Sequence, residues 1–210
     1  MDLPGFLVFS LNSRFVLRWV CGGLAIFIPV ANFLSLGYLA KASQLFGLGD
    51  IGLPTWDNKG KLWRTGARLF YVIILYEALP SFLFSCGFFL ASFGNAVTSF
   101  LGGFLKILAA LAFVGCSFFI PFAFCAFAER NEVKAAFELE RIAAAVSKVL
   151  VRYTLGIVVS GACMYVAYKV HRIPYLAGFV LSSLITYYVL LVATYYFTQL
   201  FRKTALALRA

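Results

Sequence analysis

Residues 107–128 read ILAALAFVGCSFFIPFAFCAFA, 22 positions without one charged side chain. About 20 such residues suffice for a helix to cross a bilayer. Two further runs, 19–40 and 173–201, are equally free of charge. Outward from them the whole chain has the same character. Of its 210 residues 63% are apolar and 12% charged, against roughly a quarter charged in a soluble domain. A water-soluble globule is excluded, and the chain is an integral membrane protein. Five scattered cysteines, Cys21, Cys86, Cys116, Cys125 and Cys163, lie inside apolar runs without paired spacing. They read as buried free thiols and exclude a secreted disulfide scaffold.

The spacing predicts membrane segments at about 19–40, 69–91, 107–128, 153–168 and 174–200. Eighteen Lys and Arg against eight Asp and Glu give a formal charge of +10. The cations sit in loops and beside the apolar runs, where they meet anionic lipid headgroups and set topology, so nucleic acid is not needed to explain them. If all five segments cross, Lys and Arg divide 13 against 5 between the two sides. If the first segment enters and returns as two half-helices turning near Pro29, Val30, Ala31 and Asn32, they divide 15 against 3. Both forms place the long loops and the C-terminus in the cytoplasm, with the chain in the cytoplasmic membrane. Pro29 removes a backbone donor and Asn32 offers a polar side chain at the break, so a re-entrant pair and a kinked span are both open. The Ala40-Lys41-Ala42 pattern mimics a signal cleavage site, but the 22-residue run before it is too long for a signal core.

Each long interval carries an amphipathic segment. After Leu53 and Pro54, Thr55 is a plausible cap; Trp56, Trp63, Ala67 and Phe70 then share one helical face, with Asp57, Lys61, Arg64 and Arg68 on another. In the second interval Ala135, Leu139, Ile142, Val146 and Val149 form an apolar stripe beside Lys134, Glu138, Arg141, Lys148 and Arg152. Lys134–Glu138 and Glu138–Arg141 stand at helical pairing distances. The expected fold is all-α: a polytopic membrane bundle of four to five segments, the first crossing or re-entrant, plus two cytoplasmic interfacial helices. Residues 1–210 form one membrane domain with a weak internal repeat, 19–91 and 107–168, and a final helix 174–200. The amphipathic faces suit packing on the bundle or lipid, or a partner.

Asn32, Phe33, Leu36, Gly37, Tyr38 and Leu39, then Leu53, Pro54, Trp56, Asp57 and Gly66, then Tyr76, Leu79 and Pro80, form an ordered set. In the second half Phe127, Ala128, Glu129 and Arg130 lead to Ala135, Ala136, Phe137, Glu138 and Leu139. In this order and spacing the chain, over roughly 15–200, resembles a bacterial and archaeal membrane family known as a domain of unknown function, number four-zero-one-three. The resemblance implies a multi-helix membrane fold and transfers no activity and no catalytic residue.

Physically, Tyr38, Trp56, Trp63, Arg64 and Arg68 read as interfacial anchors. Gly37 permits close backbone approach, and Gly66 a bend or close contact where the surface helix enters the second span. Gly156 with Ser160, and Gly178 with Ser182, repeat at four-residue spacing that lets the last two helices approach. Chemistry is sparse. One histidine, His171, and cysteines without Cys-x-x-Cys spacing argue against haem, a metal or any other cofactor. No phosphate loop or nucleophile elbow is present. Glu77 stands out as an acid about 12 Å into an apolar run, where a bare carboxylate costs a few kcal/mol. It needs a proton or a partner, and with Tyr76 and Asn32 it marks the one polar site at membrane depth. Glu77 reads either as a proton or cation site or as a hydrogen-bonded helix contact or bridge to another subunit.

Two functions follow. A non-catalytic membrane subunit, scaffold or accessory component needs the least special chemistry; its partners are membrane lipids, other membrane subunits or further copies of the chain. A small transporter or channel component would use Glu77. A membrane enzyme acting on lipids has no recognisable residue set.

Overall fold

The computed structural model describes residues 3–207. Arg209 and the side chain of Arg14, both counted in the charge balance, lie outside the described residues. Eight α-helices and no strand are found among them: α1 (Leu3–Ser10), α2 (Ser13–Ile26), α3 (Asn32–Leu48), α4 (Lys59–Ala91), α5 (Ala96–Arg130), α6 (Leu139–Lys148), α7 (Leu150–His171) and α8 (Tyr175–Ala207). A 3₁₀ turn, Val133–Phe137, precedes α6. Four helices are long and apolar enough to cross a membrane: Lys59–Ala91, Ala96–Arg130, Leu150–His171 and Tyr175–Thr204. The chain is an all-α polytopic bundle. By internal contacts it divides into two compact units, residues 1–70 with 122–210, and residues 71–121.

In the larger unit the first apolar run is two helices. α2 stops at Ile26, Val30 takes φ 70°, and α3 starts at Asn32. Pro29 has no amide hydrogen to donate, and a β-branched residue at positive φ is incompatible with a continuing helix. α3 returns along α2: Ser35 Oγ donates to the Gly22 carbonyl at 2.8 Å, and both residues meet the Tyr187 ring or hydroxyl of α8. At 14 and 17 residues, the halves are about 21 and 25 Å long, each short of the roughly 30 Å hydrocarbon core. The first segment is thus two helices folded back on each other and not one continuous, kinked helix.

The first surface helix is not a separate element. Helix begins at Lys59, after Asn58 turns at φ 55°, and runs unbroken to Ala91. Thr55 is not its cap; its hydroxyl bonds Asp57 and its carbonyl accepts from Lys41 at 2.9 Å. Gly66 makes no bend. A Cβ there would stand 1.7 Å from the Phe33 carbonyl oxygen, and one at Gly37 would stand 1.9 Å from that of Leu62. The two glycines let α3 and α4 meet backbone to backbone, so the amphipathic stretch packs along α3. The segment after α5 stays distinct. Ala135, Ala136, Ile142 and Val146 are buried, and Arg130, Glu129, Glu138 and Arg141 form ion pairs at 2.6–3.4 Å. Lys134 has no ion pair among the described residues, because residues 133–137 wind as 3₁₀ and Glu138 breaks the helix at ψ 66°.

Between lipid and protein there is little hydrophobic gain, so close packing and hydrogen bonds hold such a bundle together. Phe6, Tyr38, Phe46, Tyr187, Leu191 and Tyr195 form one buried cluster, with Phe6 stacked on Tyr195 at 4.1 Å. Phe122, Tyr153, Phe197 and Phe201 form a second, edge to face. Buried hydroxyls and half-buried amides tie the helix ends together: Ser43 to Thr198 at 2.8 Å, Gln44 to the Ala128 carbonyl at 2.8 Å, and Gln199 to the Phe46 carbonyl at 3.0 Å.

Candidate functional site

Polar side chains converge at three places. The first is the segment 50–58, which lies across α2 and α3 as a strap. Arg18 of α2 donates to the Leu53 carbonyl at 2.5 Å, the Trp56 indole donates back to the Arg18 carbonyl at 2.9 Å, and the Tyr38 hydroxyl donates to the Pro54 carbonyl at 2.9 Å. Tyr38 is fully buried and stacks on Trp56 with centroids 4.2 Å apart. Two of the five anchors read from sequence therefore meet inside the unit. The other three behave differently. Trp63 is exposed on one side and meets Phe33 edge to face at 5.4 Å, while Arg64 and Arg68 are exposed.

The second place lies in the smaller unit, where residues 71–91 of α4 pack against 96–121 of α5. Gly87 and Gly102 set the approach: a Cβ on either would fall 2.6–2.8 Å from the carbonyl oxygen of the other. Further along the pair, Ser117 Oγ donates to Glu77 Oε1 at 2.8 Å. Glu77 Oε2 is buried and has no hydrogen-bond partner. Within 71–121 the only other charged residue is Lys106. It lies over the Phe88 ring at 5.4 Å, eleven residues and about 16 Å of helix away from Ser117. Tyr76 is buried beside Glu77. Pro80 and Pro121 stand four residues beyond Tyr76 and Ser117, so each denies its helix the amide that would bond the carbonyl there. Asn32, grouped with these residues from sequence, belongs to the larger unit, and its Oδ1 is buried without a partner.

The third place is the turn between α7 and α8. His171 Nδ1 and Ser182 Oγ are 3.1 Å apart, and Ser182 also donates to the Phe179 carbonyl at 3.0 Å. Phe27, at the tip of the α2–α3 pair, meets the His171 and Phe179 rings at 6.1 and 5.6 Å. With Met164 and Tyr168 these residues line an open recess of about 420 Å³. Gly178 serves this turn, since a Cβ would lie 2.1 Å from the Ile173 carbonyl oxygen. Gly156 lies between helices, where a Cβ would meet the Tyr196 ring at 2.5 Å, and Ser160 lines the same α7–α8 groove.

Sequence reasoning did not single out Ser117, Arg18 or Ser182 as the partner of His171. Ser117 had a signal, being the one hydroxyl within 107–128 and four residues before a proline. Arg18 had none, because its acceptor is a backbone carbonyl. Among the described residues no group of three or more His, Cys, Asp or Glu could hold a metal ion. Chemically, the strap fixes backbone geometry, whereas the Glu77–Ser117 pair holds one carboxyl oxygen in an apolar hairpin.

A family model, described as a protein of unknown function (DUF4013), matches residues 20–176. No curated protein and no solved structure matches the chain.

Proposed function

The chain belongs to that family of unknown function, and we propose that it is a non-catalytic integral membrane subunit, a scaffold or accessory component of a larger membrane assembly. The observation that carries the reading is how the polar groups are used. Arg18, Tyr38, Gln44, Trp56 and Gln199 each donate to a backbone carbonyl of another segment, so these polar groups serve to hold helices and strap in place. The partners on this reading are other membrane subunits or a second copy, with anionic lipid headgroups at the cationic rim. The charge balance of 15 against 3 favours the long loops and the C-terminus on the cytoplasmic side, and the resemblance to a bacterial and archaeal family favours a prokaryotic cytoplasmic membrane. Purification in mild detergent followed by mass spectrometry tests it: partner chains, or a second copy, should appear in fixed stoichiometry. A lone monomer would refute it.

A second reading, a small transporter or channel component, is favoured by one observation, the buried and partnerless Glu77 Oε2. Intramembrane carboxylates are costly and mark ion or proton paths in many transporters. On this reading Glu77→Gln abolishes ion-dependent flux in vesicles, and unchanged flux removes Glu77 from that role.

A further inference from the structure

One face of the larger unit carries a groove unconnected with the strap or the hairpin. It runs between α7 and α8, has a volume of about 360 Å³, and is walled by Leu7, Leu155, Val159, Val189 and Val192. Gly156 forms its floor, because the absent side chain leaves room for the Tyr196 ring. One end of the groove lies at Tyr196. There the Tyr196 hydroxyl donates to the Arg152 carbonyl at 2.7 Å, which fixes the first turn of α7 over the groove mouth. Arg152 is exposed, as is Lys148 four positions earlier at the end of α6, and neither has a carboxylate partner among the described residues. At the other end Tyr188 closes the groove, its hydroxyl held 3.0 Å from that of Ser10.

α7 begins at Leu150 and crosses with its charge-free length beyond Arg152. Arg152 and Tyr196 therefore stand at headgroup depth, and the groove descends from them into the hydrocarbon. Two exposed cations without ion-pair partners among the described residues, on the segment that meets the Tyr196 end of an apolar channel, are complementary to one molecule with an anionic head and a long apolar tail. We propose that this groove is a stoichiometric binding site for an anionic phospholipid, its phosphate on Arg152 and Lys148 and one acyl chain lying between α7 and α8. The site stands independently of the subunit reading. It differs from general attraction to a charged bilayer, because the groove adds an apolar requirement that the exposed cations Arg64 and Arg68 lack.

The test uses the full chain in mild detergent, titrated with phosphatidylglycerol or phosphatidylcholine, with bound lipids counted by native mass spectrometry. One phosphatidylglycerol should bind at least tenfold more tightly than phosphatidylcholine, on an expectation of about fivefold per cation. Arg152→Gln with Lys148→Gln should bring phosphatidylglycerol down to the phosphatidylcholine level, whereas Arg64→Gln with Arg68→Gln should not. Ala193→Phe, which fills the groove, should remove the bound lipid. Equal binding of the two lipids, an equal loss in the Arg64 and Arg68 pair, full binding by a folded Ala193→Phe chain, or a protein partner covering the groove in place of lipid would each overturn the proposal. If Ala193→Phe does not fold, the two charge pairs still decide it.

Discussion

The two units use the same amino acids in opposite ways. In the larger, Phe6, Phe46, Phe122 and Phe127 are at most 1% exposed; in the smaller, Phe82, Phe88 and Phe100 are 65–75% exposed. Only Val72, Tyr76, Pro80, Gly87, Gly102 and Ala109 are buried within 71–121. In water such a contrast would mean a core and an aggregation hazard, but a bilayer solvates phenylalanine as well as a protein interior does. What separates the units is the supply of glycines at backbone contacts and of side-chain donors aimed at carbonyls. The larger unit has both in quantity, whereas the hairpin is joined at the Gly87–Gly102 pair and by the Ser117–Glu77 bond.

The sharpest way to break this contrast is a pair of glycine changes. Gly66→Val drives a side chain into the Phe33 carbonyl, whereas nothing lies within 4 Å of a Cβ at Gly115. Overpacking costs about 1–3 kcal/mol and more against rigid backbone, so Gly66→Val should abolish the monodisperse species in size-exclusion chromatography. Gly115→Ala should keep that species, or raise its melting temperature through a helix-propensity gain of up to about 1 kcal/mol. A smaller effect is expected at the strap. Arg18→Gln or Trp56→Phe leaves a carbonyl without its donor, at about 1–3 kcal/mol, and proteolysis within 50–58 should accelerate at least about fivefold. Unchanged cleavage would show that packing alone holds the segment. Smallest is Ser117→Ala in the hairpin, where membrane hydrogen bonds average about 0.6 kcal/mol. A thermal shift as large as that of the strap variants would erase the distinction between the units.

Sequence carried the spans well because each is a long apolar run, broken within 69–91 only by Glu77, and Pro29 marked the place where the first run turns back. The amphipathic stretch from Trp56 misled, since a helix lying on a membrane and one lying on α3 show the same two-faced pattern. Only the facing glycines, Gly37 and Gly66, distinguish them. Glu77 was legible as a lone acid, but its partner was not, because Ser117 is 40 positions away. The strap was invisible as a network, for most of its acceptors are carbonyls, which every residue possesses.

The paired notches of α3 and α4 also limit how this molecule can move. Slip of α4 along α3 by one residue would take Gly66 off the Phe33 carbonyl and Gly37 off that of Leu62, bringing a Cβ against each. The two helices consequently have a single allowed register, like a key cut for one lock. Any rearrangement within this unit must rotate about its connecting segments, since these two helices cannot slide.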